Sequence, residues 1–338
     1  MVQIPLRTDA RPQQIAEDLW GAWRAQALIA AIELGLFTHI ASGKRTVKEI
    51  ARAAEASERG MRRLLDAMVG LHYLNKKANR YGLEPVAAKF LVRGGEFYTG
   101  DAAKTTRLHW DSWAQLTDVV KSGRPLNRVD SEERAREYFP TLVKALFPRS
   151  YLAAQAAVSS MGKRARDQIE SILDVAAGSG AWSIAFARAL PQARVTIVDL
   201  PQVTPIARQF AERFGVADRF EYVEGNLREV DFGRDCYDLV ILGQILHSEG
   251  PVWGKKLVTK SARALRDGGL LLIAEMIPND ARTGPAVPLL FSLNMLLHTD
   301  HGDVFTMHEL RQWLKEAGFK IIKTIAAPAP SPLILASK

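Results

Sequence analysis

The spacing of hydrophobic positions changes once along the chain. Up to about residue 160 they return every three or four residues, as on helices; beyond it they gather in short runs set between helical stretches. Helical spacing runs from Ile15 to Leu36, with many alanines suited to close helix contacts. The segment "TVKEIARAAEASERGMRRLLDAMVGLHYL" predicts two short helices, with Thr46 and Glu49 at capping-box spacing. "NKKANRYGLEP" predicts a short hairpin carrying basic residues. Helix, helix and hairpin in that order suggest a winged helix. Its second helix, which would be the DNA-reading one, carries Arg59, Arg62 and Arg63. From Phe97 to Ala157 the pattern is helical again and holds Trp110, Trp113, Tyr138, Phe139 and Phe147.

The second pattern alternates. "SILDVA", "ARVTIVDL", "FEYVEGNL", "YDLVILGQIL" and "GGLLLIAEMI" read as strands. "SIAFARAL", "VTPIARQFAERFG" and "GKKLVTKSARAL" read as helices between them. Near-continuous apolar strands separated by helices predict a mainly parallel α/β sheet covered on both faces. "LRQWLKEAGFKIIKTIAAPAPSPLILAS" adds a helix and two terminal strands. The change of pattern predicts a domain boundary near residue 160.

Composition narrows this picture. The chain has 338 residues, 47% of them hydrophobic, enough for a substantial core. No apolar run reaches the ~18 residues of a membrane span. "MVQIPLRTDARPQQ" lacks the apolar region of a secretory signal. The single cysteine, Cys236, excludes an internal disulfide framework and fits a reducing cytosol. The net charge of +8 lies in the first half: residues 1–170 hold 27 Lys+Arg against 19 Asp+Glu, and the remainder 18 against 18. The excess is scattered, as on a solvated helical surface; a nucleic-acid face is the sharper reading.

Candidate chemistry begins at "DVAAGSGAWS". The first strand ends in a tight glycine turn, and a helix starts after Gly180. Ligands in open α/β sheets gather at such carboxyl ends. Gly178 and Gly180 tolerate close approach, and N–H groups at the helix start suit a carboxylate. Asp199 ends the second strand and is placed to accept two ribose hydroxyls. The dinucleotide fingerprint G-x-G-x-x-G/A fits poorly, so the loop suits a nucleoside without a pyrophosphate.

Residues 172–277 resemble the catalytic domain of class I S-adenosylmethionine-dependent methyltransferases. "ELGLF", "MRRLLDAMVGLHYL" and "YGLEPVAAKFLV" extend the likeness over almost the whole chain. It resembles the O-methyltransferase family that includes plant caffeate and isoflavone enzymes, hydroxyindole O-methyltransferase and bacterial antibiotic and pigment enzymes. The resemblance implies a Rossmann-like methyltransferase domain (residues 161–338). Before it come a helical and winged-helix dimerisation domain (1–95) and a helical substrate-pocket region (96–160). It also implies S-adenosylmethionine as cofactor, a homodimer and no metal. The N-terminal region is expected to build the dimer interface, an expectation motivated by the apolar helix around Ala27–Leu36.

Family positions map residue by residue. The D-x-G-G-G-x-G loop becomes Asp174, Ala176, Ala177, Gly178, Ser179 and Gly180. Alanine at the first two glycine positions costs little where φ stays negative. Asp199 and Leu200 fall at the ribose, and Gly225, Asn226 and Leu227 beside the adenine. Gly243 stands where many plant members have a cofactor-contacting lysine. His247 takes the place of the general base, followed by Ser248-Glu249 rather than Asp-Trp. Glu275, 28 residues further on, takes the place of the carboxylate that orients it. A second supporting glutamate is replaced by Val304, with Asp303 adjacent. His298, His301 and His308 are too densely and irregularly spaced for a zinc site.

By the same resemblance, Phe291, Asn294, Met295 and His298 line the acceptor pocket, and Trp110, Trp113 and Phe139 close it. Those residues imply a flat, largely apolar small molecule with a phenolic hydroxyl. Some relatives methylate nitrogen or carbon, acting by proximity, and others have lost methyl transfer. From another class, a winged-helix DNA-binding regulator competes. These alternatives stay open at the level of sequence.

Overall fold

The computed structural model describes residues 12–126 and 132–338. Residues 1–11, on which most of the expectation about a secretory signal rests, lie outside the described residues. The chain divides after Ala103 into two compact units.

In the first unit, α1 (Pro12–Glu33), α2 (Leu36–Ala41), α3 (Val47–Ala53) and α4 (Glu58–Gly70) precede a hairpin of β1 (Leu74–Lys77) and β2 (Arg80–Leu83), then α5 (Pro85–Phe90). Gly35, at φ 63°, splits the run expected to continue to Leu36 into two helices. The capping box forms: Glu49 N–H donates to Thr46 Oγ1, and Thr46 N–H to Glu49 Oε2. Ala78 and Asn79 both have positive φ, the conformation of a two-residue type I′ hairpin loop. Lys76 Nζ and the Tyr81 hydroxyl each donate to Asp66 Oδ1 at 2.7 Å, tying the wing to α4.

The apolar stretch that motivates the dimer expectation is partly covered within this unit. Within Ala27–Leu36, residues Ile29, Ala31 and Leu36 are buried, the last two in this unit's own core with Phe37, Ile50, Met61 and Leu65. The exposed apolar residues of α1 come earlier: Ile15, Leu19, Trp20 and Trp23, the two indoles stacked at 5.5 Å. The later stretch is partly covered by intramolecular packing, whereas these earlier residues are exposed.

The second unit opens with α6 (Ala102–Ala114, starting at the junction), α7 (Leu116–Ser122), α8 (Glu132–Ser160) and α9 (Lys163–Asp167). Then β3 (Ser171–Val175), α10 (Ala181–Ala189), β4 (Arg194–Asp199), α11 (Thr204–Arg213) and β5 (Phe220–Glu224) alternate. After β6 (Tyr237–Gly243) come α12 (Leu246–Ala264), β7 (Leu265–Ala274), α13 (Ala286–His298), α14 (Met307–Glu316), β8 (Ile321–Ile325) and β9 (Leu333–Ser337). Among the described residues the strands form a seven-stranded sheet ordered β5-β4-β3-β6-β7-β9-β8. The first five are parallel, and β9 runs antiparallel to both its neighbours. Leu173, Val175, Val240, Leu242, Leu271 and Ile273 are fully buried in one core cluster, as the apolar runs predicted.

The expected boundary near residue 160 does not separate two bodies. The helix α8 reaches Ser160 and packs along α10, so it belongs to the sheet unit. The helix α12 begins eight residues before "GKKLV" and bends at Gly250 (φ 72°), which places His247 in its first turn. Among the described residues, no helix is long and apolar enough to cross a membrane.

Candidate functional site

Strand order reverses beside β3: the chain proceeds from β3 outward through β4 and β5, then returns to lay β6 on the other side. Diverging connections open a crevice at the carboxyl ends of β3 and β6, where ligands of open sheets bind.

The crevice floor is the turn after β3. Ala176 N–H donates to Val198 O at 2.8 Å, holding the turn against β4. Ala176 itself has φ 53°, so the condition under which alanine costs little is not met there. The chain must reverse within one residue of the strand end, and that hydrogen bond fixes the left-handed conformation. Gly178 and Gly180 follow at φ 60° and 71°. Gly180 caps α10 without a side chain.

Two carboxylates flank this turn. Asp199 accepts from Gly178 N–H through Oδ2 and from Leu200 N–H through Oδ1, both at 2.7 Å. Each oxygen keeps a lone pair for a further donor. Burial pushes its carboxyl up to about 6, against the two N–H bonds that lower it. Asp174 lies wholly buried beneath the turn; its Oδ2 accepts from Ser183 N–H at 3.2 Å, and its Oδ1 has no partner among the described residues. Burial pushes it up to about 7, and the nearby Asp199 adds to the rise. Gly225 N–H donates to Asp199 O at 3.0 Å, so the loop Gly225–Leu227 adjoins that carboxylate. Asn226 is exposed, its Oδ1 accepting from Arg228 N–H, and Leu227 O accepts from Lys260 Nζ. Gly243 ends β6, where a Cβ would lie 2.7 Å from the indole of Trp182. A glycine-lined floor, an acidic pair and an orphaned buried carboxylate oxygen fit a cationic nucleoside cofactor.

At the other edge of the crevice, His247 Nδ1 lies 2.7 Å from Glu275 Oε2. Glu275 Oε1 accepts from Leu246 N–H at 2.7 Å and His247 N–H at 3.4 Å. One carboxylate thus fixes both the ring and the backbone that carries it. Both residues are buried, and Phe291 meets the imidazole edge-to-face at 4.9 Å. Asp303 N–H donates to His247 O, but its carboxylate turns elsewhere, accepting from Ser292 Oγ and Val304 N–H. Val304 is fully buried. The lost second glutamate therefore has no substitute: among the described residues, Glu275 is the carboxylate in contact with the His247 ring.

Helix α13 carries the acceptor-side candidates at helical spacing, Phe291, Asn294, Met295 and His298. Asn294 Oδ1 accepts from Trp113 Nε1 at 3.3 Å. Phe139 packs against Tyr138, and Tyr138 against His109. His109 lies 4.5 Å from His298, ring to ring. Burial pushes its imidazole down to about 4, and His298 adds to the fall. The structure thus joins Trp113, Phe139, Asn294 and His298 into one wall. Trp110 is half-buried and makes no ring contact with them among the described residues. Sequence reasoning missed His109, although it stands one helical turn before Trp113, and Trp182, two residues after Gly180. Among the described residues, no group of three or more His, Cys, Asp or Glu is gathered to hold a metal ion.

Comparison with known proteins agrees with this geometry. The O-methyltransferase domain family matches residues 113–320, and the O-methyltransferase dimerisation domain matches residues 17–93. The chain is 30% identical to 3-hydroxy-5-methyl-1-naphthoate 3-O-methyltransferase of Streptomyces sahachiroi, over 94% of this chain and 92% of that one. It is also 30% identical to the tetracenomycin polyketide synthesis 8-O-methyl transferase TcmO of Streptomyces glaucescens, over 97% of each. Human N-acetylserotonin methyltransferase, solved in complex with SAM, shares the fold at a TM-score of 0.85 and 23% identity, covering 98% of this chain and 99% of its own. The chain therefore belongs to the O-methyltransferase family, and its first unit holds that family's dimerisation domain.

Proposed function

We propose that His247 is the general base, oriented by Glu275, for methylation of a hydroxyl on a small aromatic or polyketide-like acceptor. The enzyme is a methyltransferase that uses S-adenosylmethionine and forms a homodimer through its dimerisation domain. When bound, the cofactor supplies an electrophilic methyl group on a positively charged sulfur. Asp199 accepts the ribose hydroxyls, the turn through Gly178 and Gly180 receives the amino-acid end, and Gly225–Leu227 adjoins the adenine.

The observation that carries the base assignment is the 2.7 Å contact between His247 Nδ1 and Glu275 Oε2. A carboxylate accepts, so Nδ1 holds the proton and Nε2 keeps its lone pair. Nε2 takes the proton of the acceptor hydroxyl as the oxygen attacks. Glu275, already in contact, then stabilises the imidazolium. Such positioned proton removal is worth roughly 10²–10⁴-fold. Phe291, Asn294, Met295 and His298, with Trp113 and Phe139, form an apolar wall with few polar groups, suited to a flat aromatic molecule. The two similar Streptomyces enzymes are named for a naphthoate and a polyketide. A cytoplasmic location accords with the one free cysteine, Cys236.

Incubating the protein with labelled S-adenosylmethionine and a panel of phenols, naphthols, flavonoids, quinols and aromatic amines tests the reading. Mass spectrometry is expected to place the label on oxygen. Label only on nitrogen or carbon, or none with any acceptor, overturns it.

A further inference from the structure

His109 of α6 and His298 of α13 meet ring to ring at 4.5 Å, and one turn away on each helix Trp113 Nε1 donates to Asn294 Oδ1. The two helices therefore pair antiparallel, in two rungs about 5 Å apart along their axes. The chemistry lies beyond the Trp113 rung, where Phe291 meets the His247 ring. His298 comes seven residues after Phe291 on the same face of α13, about 10 Å further along the helix. The His109 rung thus stands at the end of the acceptor wall remote from His247.

The two rungs differ in one respect. The Trp113 indole N–H is paired within the protein, whereas His109 Nε2 is closed off from solvent and has no hydrogen-bond partner among the described residues. Leaving such a nitrogen unpaired is unfavourable. Packing between Tyr138, at 5.3 Å, and His298 asks only for a flat ring, which phenylalanine would supply without a polar atom. A structural role therefore does not explain the imidazole; a ligand that brings a polar group to Nε2 does.

We propose that His109 anchors the far end of the acceptor, its Nε2 hydrogen-bonding a second hydroxyl remote from the one that is methylated. The inference rests on the acceptor reading above and narrows it to an extended aromatic diol. The length of the wall sets the spacing: hydroxyls on neighbouring ring carbons are too close together to serve both His247 and His109. Charge sets the group. Burial keeps the His109 ring neutral, so it offers nothing to offset burying a carboxylate or an ammonium. A hydroxyl both donates and accepts, and so suits Nε2 in either tautomer. His298 Nδ1 donates to Asn294 O at 2.9 Å, which holds the ring against which His109 rests. His298 and Asn294 are then supports of the anchor as well as parts of the wall.

Calorimetry with two isomeric probes tests this on the full-length protein loaded with S-adenosylhomocysteine. 2,6-Dihydroxynaphthalene carries its hydroxyls at opposite ends; 2,3-dihydroxynaphthalene carries them side by side. The wild type should bind the first about five- to tenfold more tightly than the second. His109→Phe keeps the ring and removes Nε2, and should bring the two probes to within about twofold of each other. His109→Gln, which restores a polar group, should recover part of the preference. Equal affinities in the wild type would overturn the proposal and leave Nε2 to a buried water. A preference undiminished in His109→Phe, or a wild type that binds neither probe, would overturn it too. If His109→Phe does not fold, His109→Leu decides by the same criterion. Methyl transfer to no acceptor of the panel above would defeat the function reading itself. A methylated phenol without the isomer preference would defeat this proposal alone.

Discussion

The two sides of the crevice are made from different materials. The cofactor side is mostly backbone: a left-handed turn after β3, N–H groups directed at Asp199, and glycines where strands end. The acceptor side is mostly side chains projected from α6, α8 and α13, helices far apart in sequence. Backbone geometry is fixed by the sheet and tolerates little change. A wall of side chains can be altered one residue at a time without moving the sheet. The fold can therefore keep one cofactor and change its acceptor, and His247, the proposed base, sits where the two materials meet.

The largest effect is expected at that meeting point. His247→Ala should lower kcat by about 10²–10⁴-fold while calorimetric affinity for S-adenosylhomocysteine stays unchanged. Turnover retained at the wild-type level would place catalysis in proximity alone. A joint loss of kcat and cofactor affinity would mean that the two sides are not separable at His247.

Next comes the cofactor side alone. Asp199→Ala removes the acceptor of the ribose hydroxyls, an interaction worth roughly 1.5–3 kcal/mol. Affinity for S-adenosylhomocysteine should fall about 10–100-fold. An unchanged dissociation constant in a folded variant would remove Asp199 from the site.

The buried acids sharpen the contrast through pH. Asp174 and Asp199 are both pushed up, chiefly by burial, to about 7 and about 6. In the unfolded chain an aspartate titrates near 3.9, so between roughly pH 4 and 7 the cofactor-free folded state holds more protons than the unfolded one. Stability contributed by these groups is present below that window and is lost as pH rises through it. Asp174→Asn cannot titrate. Relative to it, the wild type should lose stability with rising pH, with a slope of at most about 1.4 kcal/mol per pH unit. Urea unfolding of both proteins across that range measures the difference. A constant difference would mean that Asp174 is ionised throughout.

These results bear on how far the sequence reveals the molecule. Its parallel strands were legible because burial on both faces demands uninterrupted apolar runs, such as Val240–Leu242. The placing of Asp199 at the end of β4, and of His247 and Glu275 side by side after β6 and β7, was legible because positions just past apolar runs fall at strand ends. The break at Gly35 and the bend at Gly250 were not, because a glycine inside a helical pattern does not declare its φ. Nor was the membership of α8, since its packing along α10 depends on tertiary contacts that periodicity does not encode. His109 was hidden for the same reason: only the fold brings it to His298. The exposure of Ile15, Leu19, Trp20 and Trp23 was not legible either, because apolar residues recur along the whole of α1 and only the packed unit distinguishes its covered turns from its open ones.

The smallest effect tests whether the turn is held by its backbone. Ala176 has a φ of 53°, which brings the Cβ of an L-residue too close to the following carbonyl oxygen. That conformation costs roughly 1–2 kcal/mol for a non-glycine residue. Glycine would relieve it but adds freedom to the unfolded chain, worth about 0.4–1 kcal/mol in the opposite direction. Ala176→Gly should therefore stabilise the protein by about 0.5–1 kcal/mol net, the difference of those two effects. The 2.8 Å bond from Ala176 N–H to Val198 O is independent of the side chain, so the turn should keep its shape. Affinity for S-adenosylhomocysteine should stay within about twofold, a difference below 0.5 kcal/mol. Urea unfolding and calorimetry on the same preparation read both quantities. A destabilised variant would mean that Ala176 does not hold the left-handed conformation. A large change in affinity would mean that its methyl group, and not only the backbone, shapes the cofactor side.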